Sequence, residues 1–355
     1  MMGNVVLLLL LLQVAHALLG VQPKRGIPSA GEALKNLDDT ASKLLRQAVP
    51  APAAATIEPT VYESDLPTPL PWSESLNPSR DLTYMPMFSK TLERLLEMGA
   101  TQVELEPSTT QKLSDVKPAR IGNMAFQTER FRKVRLTYFD AGDAVQVFNA
   151  VFYPAFQYDL PILGFDLISL GKSRVLNVMD FQPIHPTEEY SQRYIDPISH
   201  IRERYPDLQG KLSGKIYDDT SFFSKNMLFG RFGDESKVLD VVYPAFEEYL
   251  DAYLGMMQTA EADHDPDAMA LVQARQSAYD AYSALKDPAV GLFDAYFGKQ
   301  WSNSFVHDFL FSLSRDQTQN MASIGIPTAP HQPVHNFNVD KVSGVVTPAS
   351  SGNTH

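Results

Sequence analysis

The 355-residue chain has no cysteine. That excludes disulfides, cysteine-ligated zinc, cysteine-held iron–sulfur clusters and thiol catalysis. Any redox chemistry must draw electrons from outside the chain or from a group held without cysteine. The net charge is −12, against the concentrated basic face that nucleic acid requires. There is no G-x-G-x-x-G, no P-loop and no G-x-S-x-G, so the common nucleotide and hydrolase signatures are missing. Histidines are dispersed. His331 and His335 are four apart, but Pro333 lies between them and removes a helical metal pair, and His307 reads as structural. No run of apolar residues reaches the roughly 18 that a membrane span needs.

What is present begins with a short apolar run over residues 3–12 that ends in six leucines. Ala15-His16-Ala17 follows as an A-x-A cleavage site, so residues 1–17 read as a signal peptide. Residues 18–80 are rich in Ala, Pro and Ser, with Lys24, Arg25, Lys35, Lys43 and Arg46 scattered through them. A signal peptide followed by such a segment suggests a transit-like region and entry into a plastid by the secretory route. The alternative is a disordered linker in a secreted protein, and Glu32, Asp38 and Asp39 favour it. From Arg315 to the end periodicity disappears, and 315–355 is expected to be a disordered tail.

The region 81–314 carries the pattern of a folded domain, and its 44% apolar content across the chain supports a packed core. Phe88, Leu92, Leu95 and Leu96 recur at helical spacing and Gly99 ends that helix. Strands are expected near Lys133–Tyr138, 144–153, 160–170 and 174–182. Their connections are too short for parallel crossovers, so they pair antiparallel. Further on, 190–205 reads as a helix, 222–232 as a strand, and 243–257, 266–286 and 305–313 as helices. Both faces of the central strands are apolar and need cover. The expected fold class is α/β, a three-layer α/β/α sandwich around a central antiparallel sheet.

Two acids stand out against this pattern. Asp166 lies in the apolar strand Tyr158-Asp-Leu-Pro-Ile-Leu-Gly-Phe-Asp166 and shares a face with Ile162, Gly164 and Ile168. A carboxylate there costs several kcal/mol unless it is paired, hydrogen-bonded or protonated. Gly164 leaves space beside it. Asn149 is a second polar group on the apolar face of the preceding strand, with Val145, Val147, Val151 and Tyr153. Together they read as the floor of a ligand pocket, or else as caps of local backbone groups. Asp287 follows a long helix and precedes a proline, the pattern of a turn or cap. Asp180 reads as a strand-end acid paired with a cation. The basic run Arg130-Phe-Arg-Lys-Val-Arg135 is a solvated strand face, or a docking patch for an acidic partner.

Three motifs occur in one order: Tyr158-Asp-Leu-Pro-x-x-Gly-x-Asp166, Asp180-Phe-Gln-Pro183 and Lys286-Asp-Pro-Ala-x-Gly-Leu-Phe293. Over about residues 120–313 the chain thereby resembles the ferredoxin-dependent bilin reductases. The resemblance implies reduction of a linear tetrapyrrole with electrons from reduced ferredoxin, in single-electron steps through a radical. It implies no bound cofactor, neither metal nor flavin. The motifs Asp140-Ala-Gly-Asp-x-x-Gln-Val-x-Asn149 and Phe297-Gly-Lys-x-Trp-Ser302, with Phe309-Leu-Phe311, point within the family to reduction of the C15=C16 bond of biliverdin IXα. Tyr158-Asp-Leu-Pro161 and Pro244-Ala-Phe-x-x-Tyr-Leu250 resemble the rival branch, which reduces 15,16-dihydrobiliverdin to phycoerythrobilin. A non-catalytic bilin-binding protein is a further alternative.

By the same resemblance Asp166 is the central proton donor and Asp287 the second acid. Asn149 stands where phycocyanobilin-forming members carry a catalytic His, and Thr137 where they carry a Glu. Four-electron reduction is therefore not expected. Arg231 and Lys225 are candidates for binding the two propionates, and Arg132, Lys133 and Arg135 for docking acidic ferredoxin. The expected partners are biliverdin IXα, ferredoxin and the next bilin reductase, with the chain acting as a monomer in the plastid stroma.

Overall fold

The computed structural model describes residues 70, 72–210, 222–287 and 289–315, with two short strands in the tail. Helix α1, Met85–Glu97, begins with a proline in its first turn and buries Phe88, Leu92 and Leu95. It stops where Gly99 takes φ +69°, a backbone state that side chains disfavour. The strands follow as β1 Thr101–Val103, β2 Gln111–Leu113, β3 Arg120–Gln127, β4 Phe131–Asp140, β5 Gln146–Pro154, β6 Ile162–Ser169 and β7 Val175–Gln182. After a helical stretch comes β8, Leu228–Phe232, and then α2 Tyr243–Thr259, α3 Pro266–Lys286, α4 Ala289–Phe297 and α5 Lys299–Ser304. A single π-helical turn, Phe305–Leu310, continues α5.

All eight strands form one antiparallel sheet in the order β1-β3-β4-β5-β6-β7-β8, with β2 also paired to β3. Period-2 alternation gives each strand two apolar faces. Val134, Leu136 and Tyr138 of β4 and Leu163, Phe165 and Leu167 of β6 pack with α1 and α2. The opposite face supplies Ile121, Phe139, Val151 and Ile162, which pack with α3, α4 and the π turn. This is the expected three-layer α/β/α sandwich.

Several expected boundaries move. The folded part starts before residue 81: Leu70 is 1% exposed and Arg80 5%. Arg80 binds Glu235 at 2.6 Å, and the Ser75 hydroxyl and Leu76 N–H reach Asp140. The expected 190–205 helix is present as a continuous helical stretch, Glu188 to Arg204, whose winding changes from π to 3-10 at Asp196–Ile198, where Pro197 lies; Pro206 starts a separate turn after it. The strand expected from 222 begins only at Leu228. The Ser224 N–H and hydroxyl are taken by Asp180, which keeps that segment off the ladder. The signal-peptide and most of the transit-like reading fall on residues outside the described ones, as does most of 315–355. Within that tail Phe337–Val339 and Val346–Pro348 pair antiparallel.

Candidate active site

The register places a row of side chains across the sheet on the face covered by α3, α4 and the π turn. Asn123, Thr137, Asn149, Asp166, Val178 and Phe229 are successive cross-strand partners from β3 to β8. Cross-strand partners stand about 5 Å apart on one face. Asn149 Nδ2 donates to Asp166 Oδ1 at 3.2 Å. Thr137 Oγ1 donates to Asn123 Oδ1 at 2.8 Å. Asp166 and Asn149, predicted from spacing to form a pocket floor, are thus neighbours in contact.

Asp166 is half-buried. Desolvation pushes its carboxyl up to about 7, helped by like-charge repulsion from Asp287 and opposed by the Asn149 bond and by Arg135. A carboxyl near 7 can hold a proton at neutral pH and release it. Asp287, in the turn between α3 and α4, faces it. Burial raises Asp287 too, against the pull of the Ala289 N–H and of Arg135. Asp287 Oδ1 accepts from Ala289 N at 2.8 Å. It is therefore the cap read from its pattern, and its charge also acts on Asp166.

Arg135 is the residue that sequence reasoning misplaced. It is 1% exposed, so it cannot dock ferredoxin. Its Nε donates to Leu310 O at 3.0 Å and its Nη1 to Asn149 Oδ1 at 2.6 Å. The signal was in the alternation: Arg135 shares the face of Thr137, and that face is covered. The rest of the basic run is also consumed inside. Arg132 stacks over Tyr153 at 4.3 Å and donates to Gln276. Lys133 Nζ donates to Phe309 O and Ser312 Oγ, and burial pushes it down to about 7.

Three further expectations change. A Cβ at Gly164 would meet Gln182 Oε1 at 2.6 Å, so the space over the glycine holds Gln182, which accepts from the Tyr279 hydroxyl. Among the described residues no cation pairs with Asp180. It is fully buried in β7, accepts from Ser224 N and Oγ, and is pushed up to about 7 by desolvation. Lys225 is exposed and paired with Asp196 at 2.8 Å. Arg231 lies on the site face of β8 opposite Leu176, stacked 5.0 Å over Phe229, and among the described residues no carboxylate pairs with it. No group of three or more His, Asp and Glu suited to a metal occurs among the described residues.

An antiparallel sandwich with two acids of raised pKa, Asp166 and Asp287, under its C-terminal helices defines the class. The family model for ferredoxin-dependent bilin reductases matches residues 88–312, and the chain belongs to that family. A 15,16-dihydrobiliverdin:ferredoxin oxidoreductase of Nostoc punctiforme is 44% identical over 209 residues, 58% of this chain and 85% of that protein. One from Gloeobacter violaceus is 38% identical over 232 residues, 63% of this chain and 95% of that protein. A crystal structure of tomato phytochromobilin synthase in complex with biliverdin shares the fold, with TM-score 0.61 and 23% identity over 67% of this chain and 85% of that one.

Proposed function

We propose that the protein reduces the C15=C16 bond of biliverdin IXα to 15,16-dihydrobiliverdin with electrons from ferredoxin. The observation that carries the reading is Asp166, a half-buried acid held near 7 and bonded to Asn149 in a bilin reductase fold. The relatives named for this reaction support the choice of bond. One biliverdin, two reduced ferredoxins and two protons give one dihydrobiliverdin and two oxidised ferredoxins. Asp166 delivers the first proton, which makes the pigment a better electron acceptor. The electrons arrive singly through a pigment radical, and Asp287 supplies or positions the second proton. The Asp287 charge adds to the desolvation that raises Asp166, so Asp166 holds its proton near neutral pH although Arg135 opposes it. Arg231 takes one propionate, since Lys225 is already neutralised by Asp196.

The chain acts as a monomer and passes its product to the next reductase. It reaches the plastid through the signal peptide and transit-like segment read in its first 80 residues. Any removable part ends before Leu70, which is packed in the core. The test is an anaerobic assay with reduced ferredoxin and either biliverdin or 15,16-dihydrobiliverdin, with products separated by chromatography. Conversion of biliverdin alone is expected. Conversion of dihydrobiliverdin with biliverdin untouched would assign the rival branch, and pigment binding without bleaching would leave a carrier.

A further inference from the structure

Among the described residues the largest fully buried side chain is a cation, Arg135. Among the described residues no carboxylate lies within ion-pair distance of it. A buried guanidinium without a paired carboxylate is expensive, so its position needs a reason. Its contacts give one. Nε anchors on Leu310 O at 3.0 Å, and the Tyr153 hydroxyl, which donates to Asp280 Oδ1 at 2.8 Å, lies 3.3 Å from the same carbonyl. Asp280 Oδ2 in turn accepts from Leu313 N at 2.9 Å. The Phe311 ring lies 5.3 Å from the guanidinium. The C-terminal turn thus holds Arg135 rigidly from one side, and Nη1 meets Asn149 Oδ1 at 2.6 Å on the other.

The chemistry of these groups gives the chain of bonds a direction. A guanidinium can only donate. The Asn149 oxygen must therefore face Arg135, and its NH2 must face Asp166. An amide whose two ends are otherwise interchangeable has a single allowed orientation. Asn149 can then only donate to Asp166 Oδ1, so Oδ1 is always an acceptor. When Asp166 is protonated, its proton sits on Oδ2.

We propose that Arg135 is a positioning residue that locks the Asn149 amide and so confines the exchangeable proton of Asp166 to Oδ2. This rests on the bilin reductase reading above for what the proton is delivered to, but not for the lock itself. The charged and titratable groups around the lock are Asp287 after α3, Tyr279 and Asp280 on α3, Tyr153 on β5, and Arg132 and Lys133 on β4. Arg135 opposes the desolvation that raises Asp166. Removing its charge must move the Asp166 midpoint upward.

The test compares Arg135→Gln with Arg135→Lys. Glutamine is shorter, carries no charge and can donate or accept, which frees the Asn149 amide to turn; lysine keeps a donor-only cation. The first readout needs no substrate: the infrared carbonyl band of a protonated carboxyl, assigned to Asp166 by its loss in Asp166→Asn, followed against pH. The second is turnover with ferredoxin and biliverdin. Arg135→Gln is expected to raise the midpoint and lower kcat on the order of 100-fold with KM little changed, as misplacement of a reacting group does. Arg135→Lys is expected to restore the midpoint and most of kcat. A wild-type midpoint in Arg135→Gln overturns the lock, as does equal impairment of both variants with unshifted midpoints. If Arg135→Gln does not fold, Asn149→Leu replaces it, with the same upward shift expected and an unchanged midpoint overturning the proposal. Absence of turnover in the wild type would refute the bilin reductase reading, while the infrared titration would still decide the lock.

Discussion

Asp166 is an acid whose environment and partners do different things to it. Its surroundings raise it to about 7, while Asn149 and Arg135 pull it back. As a proton donor it is competent only when protonated. The competent form is full below about 7 and is lost as pH rises through it. The expected kcat profile with biliverdin therefore falls between pH 6 and pH 8, and a flat profile there would remove Asp166 as the limiting donor. Asp166→Asn keeps the shape and a hydrogen-bonding amide but has no acidic proton. Pigment binding, read by the shifted absorption band, should persist, while turnover drops by about 100-fold or more, the usual share of general acid catalysis. Near-wild-type turnover would refute the assignment. Asp166 was legible in the sequence because a carboxylate on an apolar strand face is anomalous by itself. Arg135 was not, because an arginine in a basic run looks solvated until the covering helices are in place.

At the scale of elements, the strands from β4 to β7 and the helices α1, α2 and α3 were legible, since strict alternation and helical spacing are local signals. Failures came where a distant group overrode a local pattern. Asp180 of β7 claims Ser224 from another segment, which shortened the last strand. β3 pairs with three strands, yet it was not separated from its neighbours by its own pattern. Two substitutions test these elements. Gly164→Ala would put a Cβ at 2.6 Å from Gln182 Oε1 and dislodge the Gln182–Tyr279 bond. A loss of about 1–3 kcal/mol is expected in urea unfolding, typical of overpacking. Asp180→Asn addresses pH. Asp180 ordinarily titrates at 3.8 and is raised to about 7 when folded, so the folded state binds the extra proton between those values. Stability contributed by this group is present at acid pH and is lost as pH rises toward 7. Asn can accept from Ser224 N and donate to Ser224 Oγ without any charge. The variant should show a smaller fall in Tm from pH 5 to pH 8 than the wild type; an equal fall would mean Asp180 is not what titrates.

At the scale of the whole molecule, the segment from Leu70 to Asp81 closes the sheet at the end away from the C-terminal turn. Composition hid it, because three Ser and two Pro interrupt any apolar periodicity and a local reading makes it linker. Its long-range contacts say otherwise. Leu70 and Trp72 fill the space over Gly122, where a Cβ would stand 2.6 Å from the Trp72 ring. Asp140, fully buried, takes the Leu76 N–H, the Ser75 hydroxyl and Arg120. Arg80 joins Gly142 O, Ser169 Oγ and Glu235, tying the segment to the β4–β5 turn, to β6 and to the loop after β8. A chain that begins at residue 82 keeps the Arg120–Asp140 pair but loses every contact from Leu70, Trp72, Ser75, Leu76 and Arg80, leaving Asp140 and Glu235 short of partners. Leaving a buried acceptor such as Asp140 without its Ser75 and Leu76 donors costs about 1–3 kcal/mol by itself, a large part of a typical domain's stability. A chain beginning at residue 70 keeps them. Thermal unfolding of the two should therefore differ sharply, with the 82-start protein melting well below the 70-start protein or failing to fold. Equal melting temperatures would show that the segment is an appendage and that the domain begins where hydrophobic periodicity first places it.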